Sequence, residues 1–379
     1  METGFCLLGE FEQQQRGENV GKFRIGIFNG DYIGPEIMAE AVKVLAAVGE
    51  KYRHQFDLVY LEASGEAYDK YGEHLPRITL ERASECDALL KGPFGGPPED
   101  LHHPKWANVE KGAILPLRKH FNLYTNLRQT RVLPALEALS PVKVDVVHGV
   151  DLLIVRELTS GIYFGAKQSR VVDGERESSD VEAYRESEIR RIARKAFEYA
   201  RHRRGKLTLV AKSNVLVSSV LWREVTEEVA REYADVSLDY LHVDNAAMQL
   251  ILNPRQFDVV LTNNMFGDIL SDEASVLSGS IGLFPSASLG DSRFGLYEPI
   301  HGSAPSIAGQ DLANPISAIL SVALMLRYSF ECLPEASAVE QAVETVLAQG
   351  HRTADLLPAG VAVGTREMGD RIVQAVHST

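Results

Sequence analysis

Cysteine is scarce in this chain of 379 residues. There are three, Cys6, Cys86 and Cys332, and no C-x-x-C pair among them. That count leaves no disulfide framework to read, and the three are taken as reduced thiols of a cytoplasmic protein. Long apolar runs are missing as well. None reaches the roughly 18 residues that a membrane span needs. Positive charge is in deficit: 39 Lys and Arg face 52 Asp and Glu, a net charge of −13. This balance argues against nucleic acid or an anionic membrane as a partner. It leaves an anionic small molecule open, because a binding site is built from local charges. No G-x-G-x-x-G occurs, so the usual dinucleotide fingerprint is absent. There is no internal repeat and no low-complexity tract. Residues 1–20 have no basic start and no clear cleavage site, and they contain acidic residues. They are expected to form a disordered N-terminal extension.

What is present has the texture of an α/β protein. The length allows two domains, or one large unit with a divided core. "KFRIGIFNGD" reads as a strand entering a Gly-rich turn. "GPEIMAEAVKVLAAVGEKY" reads as a helix with Pro35 in its first turn, where a missing N–H costs little. "FDLVYLEA" and "CDALLKGPFGG" read as further strands. From about 123 to 165 the texture is strand-like, in "NLYTNLRQTRVLP", "VDVVHGVDLLIVREL" and "GIYFG". "DVEAYRESEIRRIARKAFEYARHRRG" predicts one long helix closed by basic residues and Gly205. "KLTLVAKSN", "VSLDYLHV" and "QFDVVLTNN" predict strands, each leading into a helix. The alternation predicts a mostly parallel sheet covered on both faces.

Asp268 and Asp272, in "NNMFGDILSDEAS", lie about 40° apart on one helix face, with Ser271 and Ser275. A solvated face is the ordinary explanation of such a pair. This face carries no Lys or Arg, however, and follows the carboxyl end of a predicted strand, where open α/β sheets place ligands. Two carboxylates about 4 Å apart repel by about 4 kcal/mol at an effective dielectric near 20. A hard divalent cation relieves that repulsion, and oxygen ligands favour Mg²⁺ or Mn²⁺. Asp244, where a strand becomes a helix, is either a third carboxylate or a simple helix cap. Arg118, Arg128 and Arg156 stand in or beside apolar runs. A structural ion pair, such as Arg156 with Glu157, explains any one of them. All three together favour a small substrate with two carboxylates, which guanidinium forks bind in bidentate fashion. Lys212 ends the strand "LTLVAK" and either snorkels or transfers a proton. Tyr163 is either a rim residue or a general acid.

Taken together, these segments resemble the β-decarboxylating dehydrogenases of the isocitrate/isopropylmalate group. The resemblance rests on "GPEI", "KGAILPLRKHFNLYTNLR", "VRELTSGIYFG", "KSNVLVSSVLWREV", "VDNAAMQL", "NPRQFDVVLTNNMFGDILSDEAS", "YEPIHGSAPSIAG", "ANPISAIL" and "VGTREMGD", and covers the chain from about Phe23 onward. It implies an α/β fold of two parallel or mixed-sheet domains flanking a cleft, without a Rossmann fingerprint. Residues 21–123 with 279–379 would form the cofactor-binding domain. Residues 124–278 would carry the dimer interface and the metal site. The activity implied is NAD-dependent oxidative decarboxylation of a 3-alkylmalate, 3-isopropylmalate foremost, as in leucine biosynthesis. Tartrate, D-malate, isocitrate and homoisocitrate are the alternative substrates, and a non-catalytic regulatory subunit is the alternative of another class.

Residue by residue, the resemblance implies that Arg118, Arg128 and Arg156 hold the malate carboxylates. Asp268 and Asp272 would bind Mg²⁺ or Mn²⁺, with Asp244 and Lys212 arriving from the neighbouring subunit of a homodimer. Lys212, through water or Asp244, would help remove the hydroxyl proton, and Tyr163 would protonate the enolate. Ile114, Leu115 and Val215 would line the alkyl pocket. The NAD loop would run from Glu298 through His301, Gly302, Ser303, Ala304, Ser306 and Ile307 to Asn314. The chain also departs from the family pattern. Tyr32 replaces a glycine in "GDYIGPE", at a place where positive φ is costly for a side chain. "KGPFGG" brings Lys91 and Pro93. Ser306 stands where an acidic residue binds the ribose 2′-hydroxyl, yet no Lys or Arg in "APSIAGQ" offers to bind a 2′-phosphate, so NAD is expected.

Overall fold

The computed structural model describes residues 20–100, 102–357 and 360–378. Cys6 and residues 1–19, on which the expected N-terminal extension falls, lie outside the described residues. The chain opens with β1 (Lys22–Phe28), α1 (Gly34–Tyr52), β2 (Gln55–Tyr60), α2 (Ser64–Tyr71), α3 (Arg77–Ala83) and β3 (Ala88–Lys91). There follow α4 (Leu115–His120), β4 (Thr125–Arg131), α5 (Val144–Val147), β5 (Asp151–Glu157), β6 (Lys167–Val172), β7 (Glu175–Asp180) and α6 (Glu186–Arg201). Next come β8 (Lys206–Ala211), α7 (Val217–Ala230), β9 (Ser237–His242), α8 (Val243–Leu252), β10 (Val259–Thr262) and α9 (Asn264–Ser275). The last elements used below are β11 (Pro285–Leu289), β12 (Gly295–Pro299), α10 (Ile316–Tyr328), α11 (Leu333–Ala348) and α12 (Thr365–Ser378).

Ten strands form one sheet in the order β2-β1-β3-β12-β11-β4-β5-β10-β8-β9. Each wing is parallel, as expected. The centre is not: β12, β11, β4 and β5 pair antiparallel. The short 290–294 loop explains part of this, because only antiparallel neighbours can be joined so tightly. Three segments also differ from their sequence reading. Val144–Val147 is a short helix, and the strand begins only at Asp151, after Gly149 at φ +71°. "GIYFG" is a 3₁₀ turn, with Gly161 at φ +77° pressed against the Tyr184 ring, and not a strand. The long helix covers 186–201 only, and β6 and β7 ahead of it form a hairpin exposed along its whole length.

Side chains alternate along each strand, so the two faces of the sheet bury different sets. One face is continuous. Ile25, Ile27, Leu90, Tyr297, Ala287, Leu127, Val155, Leu261 and Leu209 join a single cluster under α1, α6, α7, α10, α11 and α12. The opposite face is divided. Phe28, Leu89 and Leu296 pack with Ile114 and Leu117 at one end. Leu152, Ile154, Val210 and Val260 pack with α8 and α9 at the other. Between them this second face turns polar: Lys91, Glu298, Ser286, Ser288, Asn126, Arg128 and Arg156 are carried by β3, β12, β11, β4 and β5. The gap in the apolar covering is where a cleft can form.

Among the described residues no helix is long and apolar enough to cross a membrane. Cys86 and Cys332 are free thiols.

Candidate active site

Buried polar groups must find partners, and those of the polar row do. Asn126 stitches the central strands, its amide donating to Ser286 Oγ at 2.8 Å and to Ser288 Oγ at 3.2 Å. Arg128 donates from Nε to Asn126 Oδ1 at 2.8 Å. Its Nη1 stands 4.0 Å from Asp272 Oδ1. Burial, then the nearby Arg156, pull the Arg128 guanidinium down to about 10. Arg156 is 2 % exposed. It does not pair with Glu157, the neighbour considered from sequence. Glu157 instead accepts from the Thr159 and Ser160 amides at 3.1 and 2.8 Å. Arg156 donates to Asn264 Oδ1 from Nε and Nη2, at 3.0 and 2.7 Å, and to Asp268 from Nη1. Gly267 permits this approach, since a Cβ there would come within 2.6 Å of Arg156 Cγ.

The helix α9 that carries both aspartates is capped by Asn263, whose side chain accepts from the Phe266 amide at 2.8 Å. Tyr163 donates its hydroxyl to Asp268 Oδ2 at 2.7 Å. Burial and that carboxylate push the Tyr163 hydroxyl up to about 12. Burial alone would raise Asp268, but Arg156, the Tyr163 hydrogen bond, Arg128 and Arg118 together hold it below the usual carboxylate range. Asp272 behaves oppositely: burial and repulsion from Asp268 outweigh Arg128 and raise it. Two carboxylates one turn apart on α9, with no lysine between them, fit a divalent cation.

Lys212 and Asp244 form a separate pair, 2.6 Å between Nζ and Oδ1. Asp244 is not the helix cap; His242 holds that position. Among the described residues no hydrogen bond or ion pair links this pair to Asp268 or Asp272. The three apolar residues expected to line one pocket are likewise not gathered within the chain. Ile114 packs in the core beside Leu117, with Leu115 against it, whereas Val215 is 68 % exposed. Among the described residues one His/Cys/carboxylate cluster lies elsewhere, at His54, Cys332 and Glu335, and both nitrogens of its histidine are engaged. The Gly21 amide donates to His54 Nδ1 at 3.0 Å, which leaves Nε2–H for Glu335 Oε1 at 2.9 Å.

The loop after β12 borders two cavities that share Gly302 and Ala304. One, of about 530 Å³, is walled by Phe94, Trp106, Glu110, Lys111, Ser303 and Pro305. The other, of about 450 Å³, is walled by Ile33, His301, Ile307, Leu312, Asn314 and Asp355. The loop is tied to the turn after β1, where the Ile33 amide donates to the Ser303 carbonyl at 3.1 Å. His301 Nδ1 lies 3.0 Å from the Gly302 carbonyl and must donate to it. Its Nε2 is then a buried acceptor without a partner, as a ligand N–H or O–H would require. Ser306 is exposed. Two cavities meeting across a backbone hinge, with an orphan acceptor in one wall, fit a dinucleotide.

Glu298 is placed differently from a free cofactor ligand. Its two oxygens accept from Arg118 Nη2 at 2.9 Å and Lys91 Nζ at 2.7 Å. Sequence reasoning noticed Lys91 only as a departure, and missed Asn126, Asn264, Trp106 and Glu110. "TNN" at the end of β10 and a lysine inside "ALLK" were the available signals. Tyr32 does adopt positive φ, +50°, and packs against Trp106 with ring centres 5.5 Å apart and the planes tilted by 41°.

Residues 24–372 match the isocitrate/isopropylmalate dehydrogenase family. The chain belongs to that family. As a member of the isocitrate/isopropylmalate dehydrogenases it is a β-decarboxylating dehydrogenase, a class that works with a nicotinamide cofactor and a divalent metal. It is 53 % identical to the 3-isopropylmalate dehydrogenase of Carboxydothermus hydrogenoformans, over 94 % of this chain and 95 % of the relative. It is 54 % identical to the enzyme of that name from Xanthomonas euvesicatoria, over 93 % of this chain and 99 % of the relative. Among solved structures it is similar to an isocitrate dehydrogenase from Methylococcus capsulatus, with a TM-score of 0.83 and 35 % identity, covering 94 % of this chain and 99 % of that one. A β-decarboxylating dehydrogenase from Thermococcus kodakarensis gives 0.76 at 35 % identity, covering 94 % and 96 %. The two-winged α/β sheet is the fold of this family.

Proposed function

We propose that this dehydrogenase oxidises and decarboxylates 3-isopropylmalate, with NAD as oxidant and Mg²⁺ or Mn²⁺ as the metal. The observation that carries the reading is the gathering of Arg118, Arg128 and Arg156, three like charges, on one buried polar patch beside Asp268 and Tyr163. Glu298 and Asp268 each relieve one of these charges, but Arg128 reaches Asp272 only at 4.0 Å, so a bound anion would be favoured there. A dicarboxylate is such an anion, with the guanidinium forks fixing its orientation. Tyr163 stays protonated at neutral pH and is held at Asp268 as the acid that protonates the enolate carbon. Lys212, paired with Asp244, is the route by which the C2 hydroxyl proton leaves. Asp268 and Asp272, with Asp244 of the partner subunit, would hold the cation. When bound, the cation would supply positive charge for the C2 oxygen and the developing enolate, and the nicotinamide would supply a hydride acceptor.

The same reading makes the protein a cytoplasmic homodimer. Val215, Val217, Met248, Leu252 and Ile269, on or beside α7, α8 and α9, are each more than half exposed, the signature of a covered face. It also places the boundary between the two domains, 21–123 with 279–379 and 124–278, along the β11–β4 pairing. Ile114, Leu115 and Val215 would then meet only across the dimer. Glu110 and Lys111 in the larger cavity favour a second reading, in which the 3-substituent is polar. Turnover followed at 340 nm, with a panel of 3-substituted malates, isocitrate and tartrate, with NAD or NADP and Mn²⁺, tests both. Preference for 3-isopropylmalate and NAD is expected. No turnover of any member by folded dimer would overturn the assignment.

A further inference from the structure

Lys91 is 3 % exposed, Glu298 5 % and Arg118 8 %. Lys91 ends β3, and the parallel pairing of β3 with β12 brings it beside Glu298. Its ammonium also donates to the Gly92 carbonyl at 2.8 Å and lies 4.1 Å above the Phe94 ring. All its donors are thus directed inward. A buried lysine of this kind is too deep to meet a ligand, so its effect must pass through Glu298. Glu298 in turn holds Arg118, whose Nε is buried without a hydrogen-bond partner.

We propose that Lys91 is a positioning residue that keeps Arg118 electrostatically available to the substrate by sharing the Glu298 carboxylate. The inference rests on the reading of Arg118 as a carboxylate-binding group. The charge count is short. One lysine and one arginine against one glutamate leave a single positive charge in the buried triad. Without Lys91 both oxygens of Glu298 fall to Arg118, and the guanidinium that meets an approaching carboxylate is already neutralised by its own partner. Burial magnifies the difference, because little water screens it. Geometry adds to charge. Lys91 draws Glu298 Oε2 away along the sheet, so that Arg118 spends only Nη2 on Oε1 instead of closing a two-point fork on both oxygens. The remaining Nη donors are left for a ligand.

The test is calorimetric binding of 3-isopropylmalate to the intact protein with Mn²⁺ and no cofactor. Four chains are compared: the natural one, Lys91→Met, Glu298→Gln and Lys91→Met/Glu298→Gln. Lys91→Met is expected to weaken binding by roughly tenfold or more, because it turns the full glutamate charge onto Arg118. In the Glu298→Gln background the same change is expected to matter by less than about threefold, since no carboxylate remains to be shared. Equal losses in both backgrounds would mean that Lys91 acts on the ligand directly, and would overturn the proposal. So would unchanged affinity in Lys91→Met. Should Lys91→Met not fold, Glu298→Gln alone decides: it leaves both cations unpaired and is expected to bind at least as tightly, and a tenfold loss would refute the idea. Arg118→Leu separates the two levels. Binding indifferent to Arg118 overturns the site reading and this proposal with it. Binding that needs Arg118 but ignores Lys91 overturns the proposal alone.

Discussion

Tyr163 and Asp268 share a proton-bearing contact, and the hydroxyl is pushed up to about 12 by burial and by the carboxylate. Removing that hydroxyl leaves the carboxylates and guanidinium groups in place. Tyr163→Phe should therefore lower kcat by about 10²–10³ with little change in KM for the malate, read from steady-state kinetics. Glu298 allows a pH prediction. Burial alone would raise it, but Lys91 and Arg118 hold it down to about 2, against an ordinary value of 4.5. A depressed carboxylate favours the folded state above its unfolded value and loses that contribution as pH falls through its folded value. The Tm gap between the natural chain and Glu298→Gln should thus be full at pH 5 to 6 and shrink from about pH 4.5 toward 2, as measured by calorimetry. The arginines were legible in the sequence because guanidinium groups in apolar runs need a reason. Lys91 was not, because the partner that explains it lies more than 200 positions away, on β12.

The elements show which local patterns speak. The residue span of α1 follows from its apolar spacing and from Pro35, both local features. The β6–β7 hairpin was silent: every residue is exposed, so no burial period marks it. The turn at "GIYFG" was misread because its shape is set by the Tyr184 ring against Gly161. Trp106 makes a similar nonlocal demand. Its indole lies where a Cβ on Gly65 or Gly96 would come within 2.5 or 2.2 Å. Asp31 secures both glycine segments, accepting from the Gly65 amide at 3.2 Å and the Gly95 amide at 2.8 Å. Gly96→Ala should cost about 1–3 kcal/mol in urea denaturation. Trp106→Leu in the same chain should recover most of it. A silent Gly96→Ala would show that the indole has room to move.

For the whole molecule, the decisive question is whether one chain makes one site. Lys212 and Asp244 are linked to each other but not to Asp268, which is what a site completed by a second copy requires. Mixing separately inactive Lys212→Ala and Asp268→Asn dimers, after a denaturation and refolding cycle, should restore about a quarter of natural activity. Random pairing makes half the dimers mixed, and each mixed dimer has one intact site. Mixtures that stay inactive would place all the machinery within one chain. The sequence announced the α/β alternation and a mostly parallel sheet. It did not announce the antiparallel centre, because strand order there depends on 160-residue separations such as Asn126 with Ser286.

That stitched centre has a consequence for what the enzyme can measure. Arg128 and Arg156 hang from neighbouring strands, and Arg118 faces them from the far side of the Asn126 seam. Strands in a sheet sit about 4.8 Å apart, and that interval barely stretches. In the proposed site the spacing of Arg128 and Arg156 would therefore be fixed by a ruler of backbone hydrogen bonds. Rearrangement above the sheet would move Arg118, on α4, and tighten the grip on a ligand, while the two strand-borne guanidinium groups keep their interval.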